Sequence, residues 1–160
     1  MVEPRYSPLL QRIARDVEVV RDKDDGRPLL VRYRLLFTPW WRVYVHHFVE
    51  SDSGRDVHSH PWNFLTLILR GGYLETVPIE RYRRRILAGK WPPHWPTPPL
   101  EQHFRRPGSL LWRPHRWVHR VDLRDGREAW TLIVVSAKKG REWGFLTPEG
   151  YVPWQDYVAG

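Results

Sequence analysis

Cysteine is absent from this chain of 160 residues. Disulfide bridges, thiolate metal ligands and cysteine nucleophiles are therefore excluded, and any metal ion must be bound by His, Asp or Glu. Long apolar runs are also lacking, because no stretch approaches eighteen uninterrupted apolar residues. Residues 1–15 carry scattered charges and no apolar signal segment. We therefore expect a cytoplasmic protein without a membrane partner.

Acidic residues are in the minority. The chain has 26 Lys and Arg against 18 Asp and Glu, a net charge of +8, and arginine dominates the basic residues. Arginine binds carboxylate and phosphate groups through two parallel hydrogen bonds, which lysine cannot do. The charge is compatible with a solvated surface that has no specific partner, with a small anionic substrate, or with nucleic acid. Of these, we do not favour nucleic acid.

The hydrophobic pattern predicts one β-rich domain. The length is that of a single domain, and short segments rich in β-branched and aromatic residues alternate with turn sequences such as Asp24-Asp25-Gly26 and Gly71-Gly72. Strands at such short intervals are typical of a closed barrel or a sandwich. We expect a core over residues 29–137, and an extension over residues 138–160 that packs on it.

Three segments depart from this strand pattern. Residues 8–15 are predicted to form a short helix, with Ser7 as its N-cap and Pro8 at the first helical position. Residues 87–107 contain six prolines and are predicted to form one long loop. Residues 81–85 form the densest basic run. It meets the minimal description of a nucleic-acid footprint, but a solvated edge strand, in which positive charge deters pairing, explains it without a partner.

A His-x-His pair is the first indication of a metal site. His58 and His60 lie two residues apart in a predicted strand, so both side chains project from the same face. The pair alone is weak evidence, because eight histidines in a chain of this length produce such spacings by chance.

The residues around this pair resemble the first motif of the cupin superfamily, which has a glycine, a His-x-His pair, a glutamate and a second glycine. Gly54, His58, His60 and Gly71 follow that outline, with three residues after Gly54 where the family has five. Phe64 occupies the position of the family's glutamate ligand. The resemblance therefore implies a site built from histidines, with Phe64 packed beside the metal.

The second cupin motif resembles a later segment of the chain. Gly108, Pro114 and His119 match its glycine, proline and histidine in spacing, whereas Arg116 replaces its second glycine and Leu123 its asparagine. The resemblance implies an all-β fold, a cupin-type jelly-roll barrel, in which His119 is the third metal ligand.

Together the two motifs imply one divalent metal ion, Fe first and then Zn, Mn or Ni, bound by His58, His60 and His119. Such a set is similar to that of the thiol dioxygenases of the same superfamily, and it leaves open coordination positions. The cysteine–tyrosine crosslink of some cysteine dioxygenases cannot form in this chain. Residues 58–62, 68–75 and 141–145 also resemble a group of small bacterial and phage cupins without an assigned activity, which supports the fold more than the function.

Two further residues are candidates for proton transfer. Glu75 follows the Gly71-Gly72 turn, where it could act as a late metal ligand or a general base, or lie exposed on a strand. His46 shares a strand face with Tyr44 and Phe48, so it either lines the same cavity or is a satisfied, partly buried histidine.

Arginines flank both motifs and could bind an anionic group of a substrate. These candidates are Arg70, Arg113, Arg116 and Arg120. Arg116 is of special interest because it replaces a motif glycine, although a solvent-facing side chain would also explain it.

The favoured function is that of a metal-dependent enzyme, an Fe(II) dioxygenase with a three-histidine site that acts on a small anionic substrate. A Zn- or Mn-dependent cupin isomerase is the alternative within the enzymes. A non-catalytic cupin module that binds a ligand or nucleic acid is the alternative outside them. The sequence also leaves a homodimer open.

Overall fold

The computed structural model describes residues 4–22, 25–52, 56–136 and 142–159. Asp24 of the first predicted turn lies outside these residues, as do Gly54 of the first cupin-like motif and residues 137–141 of the predicted extension.

Strands dominate the described part of the chain. In chain order they are β1 (Asp16–Arg21), β2 (Pro28–Phe37), β3 (Trp41–Phe48), β4 (Val57–His58), β5 (Phe64–Arg70), β6 (Tyr73–Pro78), β7 (Leu100–Arg105), β8 (Leu110–Arg113), β9 (Arg120–Leu123), β10 (Ala129–Ser136), β11 (Gly144–Thr147) and β12 (Gly150–Pro153). The helices are α1 (Pro8–Ile13), α2 (Glu80–Leu87) and α3 (Trp154–Ala159), with a 3₁₀ turn at Arg124–Gly126. The prediction of an all-β fold with a short N-terminal helix is confirmed.

The strands form three antiparallel sheets. The largest has the order β1-β2-β3-β10-β5-β8, and two smaller sheets have the orders β12-β11-β4 and β7-β6-β9. Because β5 and β6 are consecutive in the chain but lie in different sheets, the chain crosses between layers at the Gly71-Gly72 turn. Gly71 has a φ of +78°, and a Cβ there would lie 2.1 Å from the Glu128 carbonyl oxygen, so this turn requires glycine.

The two faces of the large sheet bury different clusters. Alternation along β3 places Val45 on the outer face, where it packs with Val31 and Tyr33 under Leu10 of α1. Tyr44 lies on the inner face and packs in a second cluster. Helix α1 begins as predicted, since the Ser7 hydroxyl accepts a hydrogen bond from the Leu10 backbone N–H. The inner face is the one that lines the candidate site.

Two predictions about loops and edges were wrong. The basic run at residues 81–85 lies in helix α2 and not in an edge strand. Tyr82 and Ile86 are spaced four apart and partly buried, which is the periodicity of a helix. The proline-rich loop is also shorter than predicted, because β7 begins at Leu100 and pairs with β6. Among the described residues, no helix is long and apolar enough to span a membrane.

Candidate metal centre

Three histidines converge on the inner side of the barrel. His58, in β4, and His119, just before β9, form an isolated antiparallel bridge in which each backbone N–H donates to the other's carbonyl, at 2.9 and 3.0 Å. His60 follows two residues after His58, so its ring lies on the same side of the chain. One ligand-capable nitrogen from each ring lies within 4.8 Å of the other two. The predicted grouping of these residues is therefore present in the structure.

The three rings have the chemistry of a metal-binding set. The Nε2 atoms of His60 and His119 lie 3.0 Å apart. Burial lowers the pKa of His60 well below its usual value, and the nearby charges of His119 and His58 lower it further. Neutral imidazole is the form that binds metals, and nitrogen-rich sets suit Fe, Zn and Ni ions. The donor set therefore fits one divalent transition-metal ion.

A fully buried carboxylate, Glu75 of β6, lies behind this cluster. Arg113 donates to its two oxygens through Nε at 2.8 Å and Nη2 at 2.6 Å, and Arg105 donates through Nε at 2.7 Å. Trp117 Nε1 contacts the carboxylate at 3.1 Å and His119 Nδ1 at 2.9 Å. A carboxylate offers about four lone-pair sites, so these contacts occupy all of its capacity to accept hydrogen bonds.

This network keeps Glu75 ionised and fixes the orientation of one histidine. Burial alone would raise the pKa of Glu75, but the hydrogen bonds and charges of His119 and Arg113 hold it well below its usual range. The carboxylate keeps the proton of His119 on Nδ1, which directs the Nε2 lone pair toward the other two rings. Glu75 thus lies beside the cluster, as the sequence suggested, but it contacts the back of one ring and is not among the three converging groups.

Aromatic side chains surround the cluster. The buried ring of Phe64 lies 4.9 Å from the centroid of His60 and 5.9 Å from that of His119. Trp62 and Trp143 lie nearly parallel to the His60 ring, at centroid distances of 6.4 Å each. Phe64 therefore packs beside the cluster, and the walls around it exclude water better than a polar lining would.

His46 and Arg32 contact each other on the inner face of the large sheet. His46 is buried on β3 opposite Arg32 of β2, and Arg32 Nε donates to His46 Nε2 at 3.3 Å. Burial, followed by the charge of Arg32, lowers the pKa of His46 well below its usual value. Both residues contact the Tyr44 ring, whose centroid lies 5.7 Å from that of the His46 ring and 5.6 Å from the Arg32 guanidinium, and Tyr44 packs in one cluster with Phe64, which lies beside His60. The sequence analysis identified His46 but missed Arg32, whose position follows from the β2–β3 register.

The four predicted arginines lie elsewhere. Arg113 is buried and bound to Glu75. Arg120 donates through Nε to Asp122 at 3.1 Å. Their guanidinium groups are thus already engaged by carboxylates of this chain.

The other two arginines, Arg70 and Arg116, are exposed. Arg116 lines a cleft of about 470 Å³ together with Ser59 and Val118, which neighbour the metal-cluster histidines in the chain. Because alternate residues of a strand face opposite sides, this cleft lies behind the cluster and not on its ligand side.

No family model and no curated protein matches this chain. Among solved structures, it is similar to the DMSP lyase DddQ from Ruegeria pomeroyi DSS-3, with 16% identity and a TM-score of 0.55 over 84% of this chain and 62% of the lyase. It is also similar to Fe(II)-HppE, with 13% identity and a TM-score of 0.51 over 76% of this chain and 56% of that protein. A third similar structure is the polyketide cyclase RemF from Streptomyces resistomycificus, with 14% identity and a TM-score of 0.51 over 84% of this chain and 80% of the cyclase. All three are cupin-domain proteins. The chain has the cupin fold.

At these identities the likeness defines the cupin fold and not the reaction. The chain also spans only 62% of the DMSP lyase and 56% of Fe(II)-HppE. The cupin-type jelly-roll barrel predicted from the two motifs is nevertheless confirmed, and the histidines that carry those motifs are the ones that converge.

Proposed function

We propose that this chain is a metal-dependent cupin enzyme whose ion is bound by His58, His60 and His119. The observation that carries the proposal is the convergence of three imidazoles, with His119 oriented from behind by the buried Glu75. A carboxylate that orients a ligating histidine is a usual feature of metal sites. The structural neighbours add support, since they include a lyase, a cyclase and an Fe(II) form of HppE.

Within this class we favour an Fe(II) dioxygenase that acts on a small anionic substrate. Three neutral ligands leave the full positive charge on the ion and leave coordination positions open, which favours an anion at the metal. Bound Fe(II) would supply the electrons needed to activate dioxygen. The aromatic walls of Phe64, Trp62 and Trp143 would keep bulk water away from the reacting groups.

Arg32 is the best placed group to bind the anionic end of the substrate. Its guanidinium lies at the inner face beside His46 and makes one hydrogen bond to the partly exposed carboxylate of Glu18, whereas Arg113 is held by two hydrogen bonds to the fully buried Glu75. His46 Nε2 accepts its hydrogen bond from Arg32. When Arg32 turns toward an anion, that nitrogen is free to accept a proton, so His46 would act as the base and Arg32 as the clamp.

Metal content tests the ligand assignment. The chain is predicted to be cytoplasmic, so it should be purified in reducing buffer without added metal and analysed by mass spectrometry. We expect about one ion per chain in the wild type and loss of the ion in His60→Ala and His119→Ala. His103→Ala is the matched control, because that histidine lies on β7 and pairs with Glu101. Retention of metal by both cluster variants contradicts the proposal.

Oxygen consumption tests the reaction class. The iron-loaded protein should consume dioxygen with at least one member of a panel of small carboxylates, thiols and phosphonates. Arg32→Met should raise the KM for that substrate with the metal content unchanged, whereas Arg116→Ala should leave both unchanged. Turnover without oxygen by the Zn- or Mn-loaded protein would favour the isomerase, and anion binding without turnover would favour the non-catalytic module.

A further inference from the structure

The cleft behind the metal cluster has the size and the lining of a ligand site. Its volume of about 470 Å³ lies within the usual range of pockets that hold small molecules. Its apolar lining includes Ile86 at the end of α2, Trp91 in the loop that follows, and Leu146 of β11. These three side chains pack in one hydrophobic cluster, so three separate elements share the apolar wall of the cleft.

Two opposite charges line this cleft without pairing. Arg116 and Glu142 both belong to its lining, and both are exposed. Neither side chain makes a hydrogen bond or an ion pair with the other, or with any further residue that the structure describes. Asp16, Glu80 and Glu101, by contrast, each pair with an arginine. The cleft therefore offers one cation and one anion to a ligand.

The Arg116 guanidinium lies against Gly89, just after the end of α2. A Cβ on Gly89 would lie 2.6 Å from Nη1 of Arg116, so the glycine leaves room for the guanidinium at the wall of the cleft. The N–H donors of the guanidinium have no acceptor among the described residues. They are therefore available to a carboxylate, which arginine binds through two parallel hydrogen bonds.

Two aromatic side chains of the cleft have polar groups of their own. The buried Nε1 of Trp91 has no hydrogen-bond partner among the described residues, and a buried donor of this kind is normally satisfied by water or by a bound molecule. Burial, followed by the charge of Glu142, raises the pKa of the Tyr151 hydroxyl to about 12, so this group stays protonated and can donate a hydrogen bond. The Ser59 hydroxyl, by contrast, is already bonded to the backbone of Gly144.

We propose that this cleft binds a free amino acid with a large apolar side chain, at a site separate from the metal cluster. A ligand with a single charge would face one group of like sign in the cleft, because Arg116 and Glu142 line it together, whereas a zwitterion matches both. Arg116 binds the carboxylate and Glu142 binds the ammonium group. The apolar side chain of the ligand lies against Ile86, Trp91 and Leu146.

Isothermal titration calorimetry with four indole probes tests the class of ligand. L-Tryptophan carries both charges, indole-3-propionate only the carboxylate, tryptamine only the ammonium group, and 3-methylindole neither. We expect L-tryptophan to bind most tightly, with a dissociation constant at least about tenfold below that of each other probe, because each of them lacks at least one charge-assisted hydrogen bond. The result should be the same with metal-loaded and with metal-stripped protein, which separates this site from the metal centre.

Two exposed substitutions test the two charges separately. Arg116→Gln should weaken L-tryptophan and indole-3-propionate at least about tenfold and tryptamine not at all. Glu142→Gln should weaken L-tryptophan and tryptamine, and indole-3-propionate not at all. Arg70→Gln is the matched control, because Arg70 is exposed on β5 and does not line the cleft. It should bind all four probes as the wild type does.

The indole N–H signals of the ¹⁵N-labelled protein show where the probe binds. The signal of Trp91, identified by its loss in Trp91→Phe, should shift more with L-tryptophan than the signal of Trp62, which lies beside His60. A larger shift at Trp62 would overturn the proposal. So would the absence of binding by L-tryptophan, L-phenylalanine and L-leucine, equal affinity for L-tryptophan and 3-methylindole, or L-tryptophan binding that neither Arg116→Gln nor Glu142→Gln weakens.

Discussion

The two walls beside the histidine cluster differ in how completely their charges are paired. On one side, Glu75 is fully buried and accepts hydrogen bonds from two arginines, an indole and His119. On the other side, Arg32 is partly exposed and contacts His46 and Glu18 through single hydrogen bonds. A saturated network holds a ligand in place, whereas a sparse one can rearrange around a substrate. We therefore propose that one wall positions a ligating histidine and that the other binds the substrate.

The largest effect is expected for Glu75→Gln, which removes the carboxylate that accepts the hydrogen bonds of the buried network. The change leaves Arg113 and Arg105 without their carboxylate, and an uncompensated buried charge costs about 3–5 kcal/mol. We expect the free energy of unfolding in urea to fall by that amount, and metal affinity to fall about 10–100-fold. A change in metal affinity with no loss of stability would show that the network does not stabilise the fold.

Phe64→Glu sharpens the comparison by placing a carboxylate where the cupin motif has one. Because Phe64 packs beside His60 and His119, we expect the variant to retain metal more tightly in competition with a chelator, and to lose or alter turnover. Phe64→Gln controls for the lost aromatic ring. Equal chelator competition curves for the wild type and Phe64→Glu would contradict the motif alignment.

The pH dependence of stability tests the His46 wall. Burial and Arg32 lower the pKa of His46 in the folded state, so the unfolded chain takes up a proton first as the pH falls. Stability of the metal-free protein should therefore decrease below about pH 6.5, by at most about 1.4 kcal/mol per pH unit for one such group. His60 adds to this slope. His46→Gln should reduce the slope, as measured by urea unfolding between pH 5 and 8, and an unchanged slope would contradict the assignment.

The smallest effect is expected for Glu18→Gln. This carboxylate pairs with Arg32 and Arg34 at the surface, and solvent-exposed ion pairs contribute about 0–1 kcal/mol because water and salt screen them. We expect unfolding in urea to shift by less than about 1 kcal/mol, with metal content unchanged. A loss of stability as large as that expected for Glu75→Gln would contradict the difference drawn between the two walls.

The grouping of the three histidines was predictable from sequence because the spacings that carry it are local. His58 and His60 share a strand face, and the second motif supplied His119 through its distance from Gly108 and Pro114. The environment of Glu75 was not predictable, because its partners Arg105 and Arg113 are 30 and 38 residues away. Arg105 reaches it from the neighbouring strand β7, and Arg113 reaches it from β8 of a different sheet. Long-range ion pairs leave no periodic pattern in a sequence.

Other errors have equally physical causes. The basic run in α2 was assigned to an edge strand because its charge was weighed more than its periodicity, although Tyr82 and Ile86 have helical spacing. Strand β7 was missed because prolines before Leu100 dominated the pattern. Arg32 could have been found from an antiparallel pairing of β2 with β3, which brings it opposite His46.

The backbone bridge between His58 and His119 also has a consequence for metal exchange. Reciprocal backbone hydrogen bonds fix these two residues relative to each other. His60 lies in the segment after β4, where its backbone N–H makes one longer hydrogen bond to the His115 carbonyl, at 3.3 Å, and its ring lies nearly parallel to Trp62 and Trp143. Release of the ion would then begin with rotation of the His60 ring, and the two indoles would slow that rotation. We therefore expect the residence time of a bound ion to depend on the freedom of this one ring as well as on how tightly the three nitrogens bind at equilibrium.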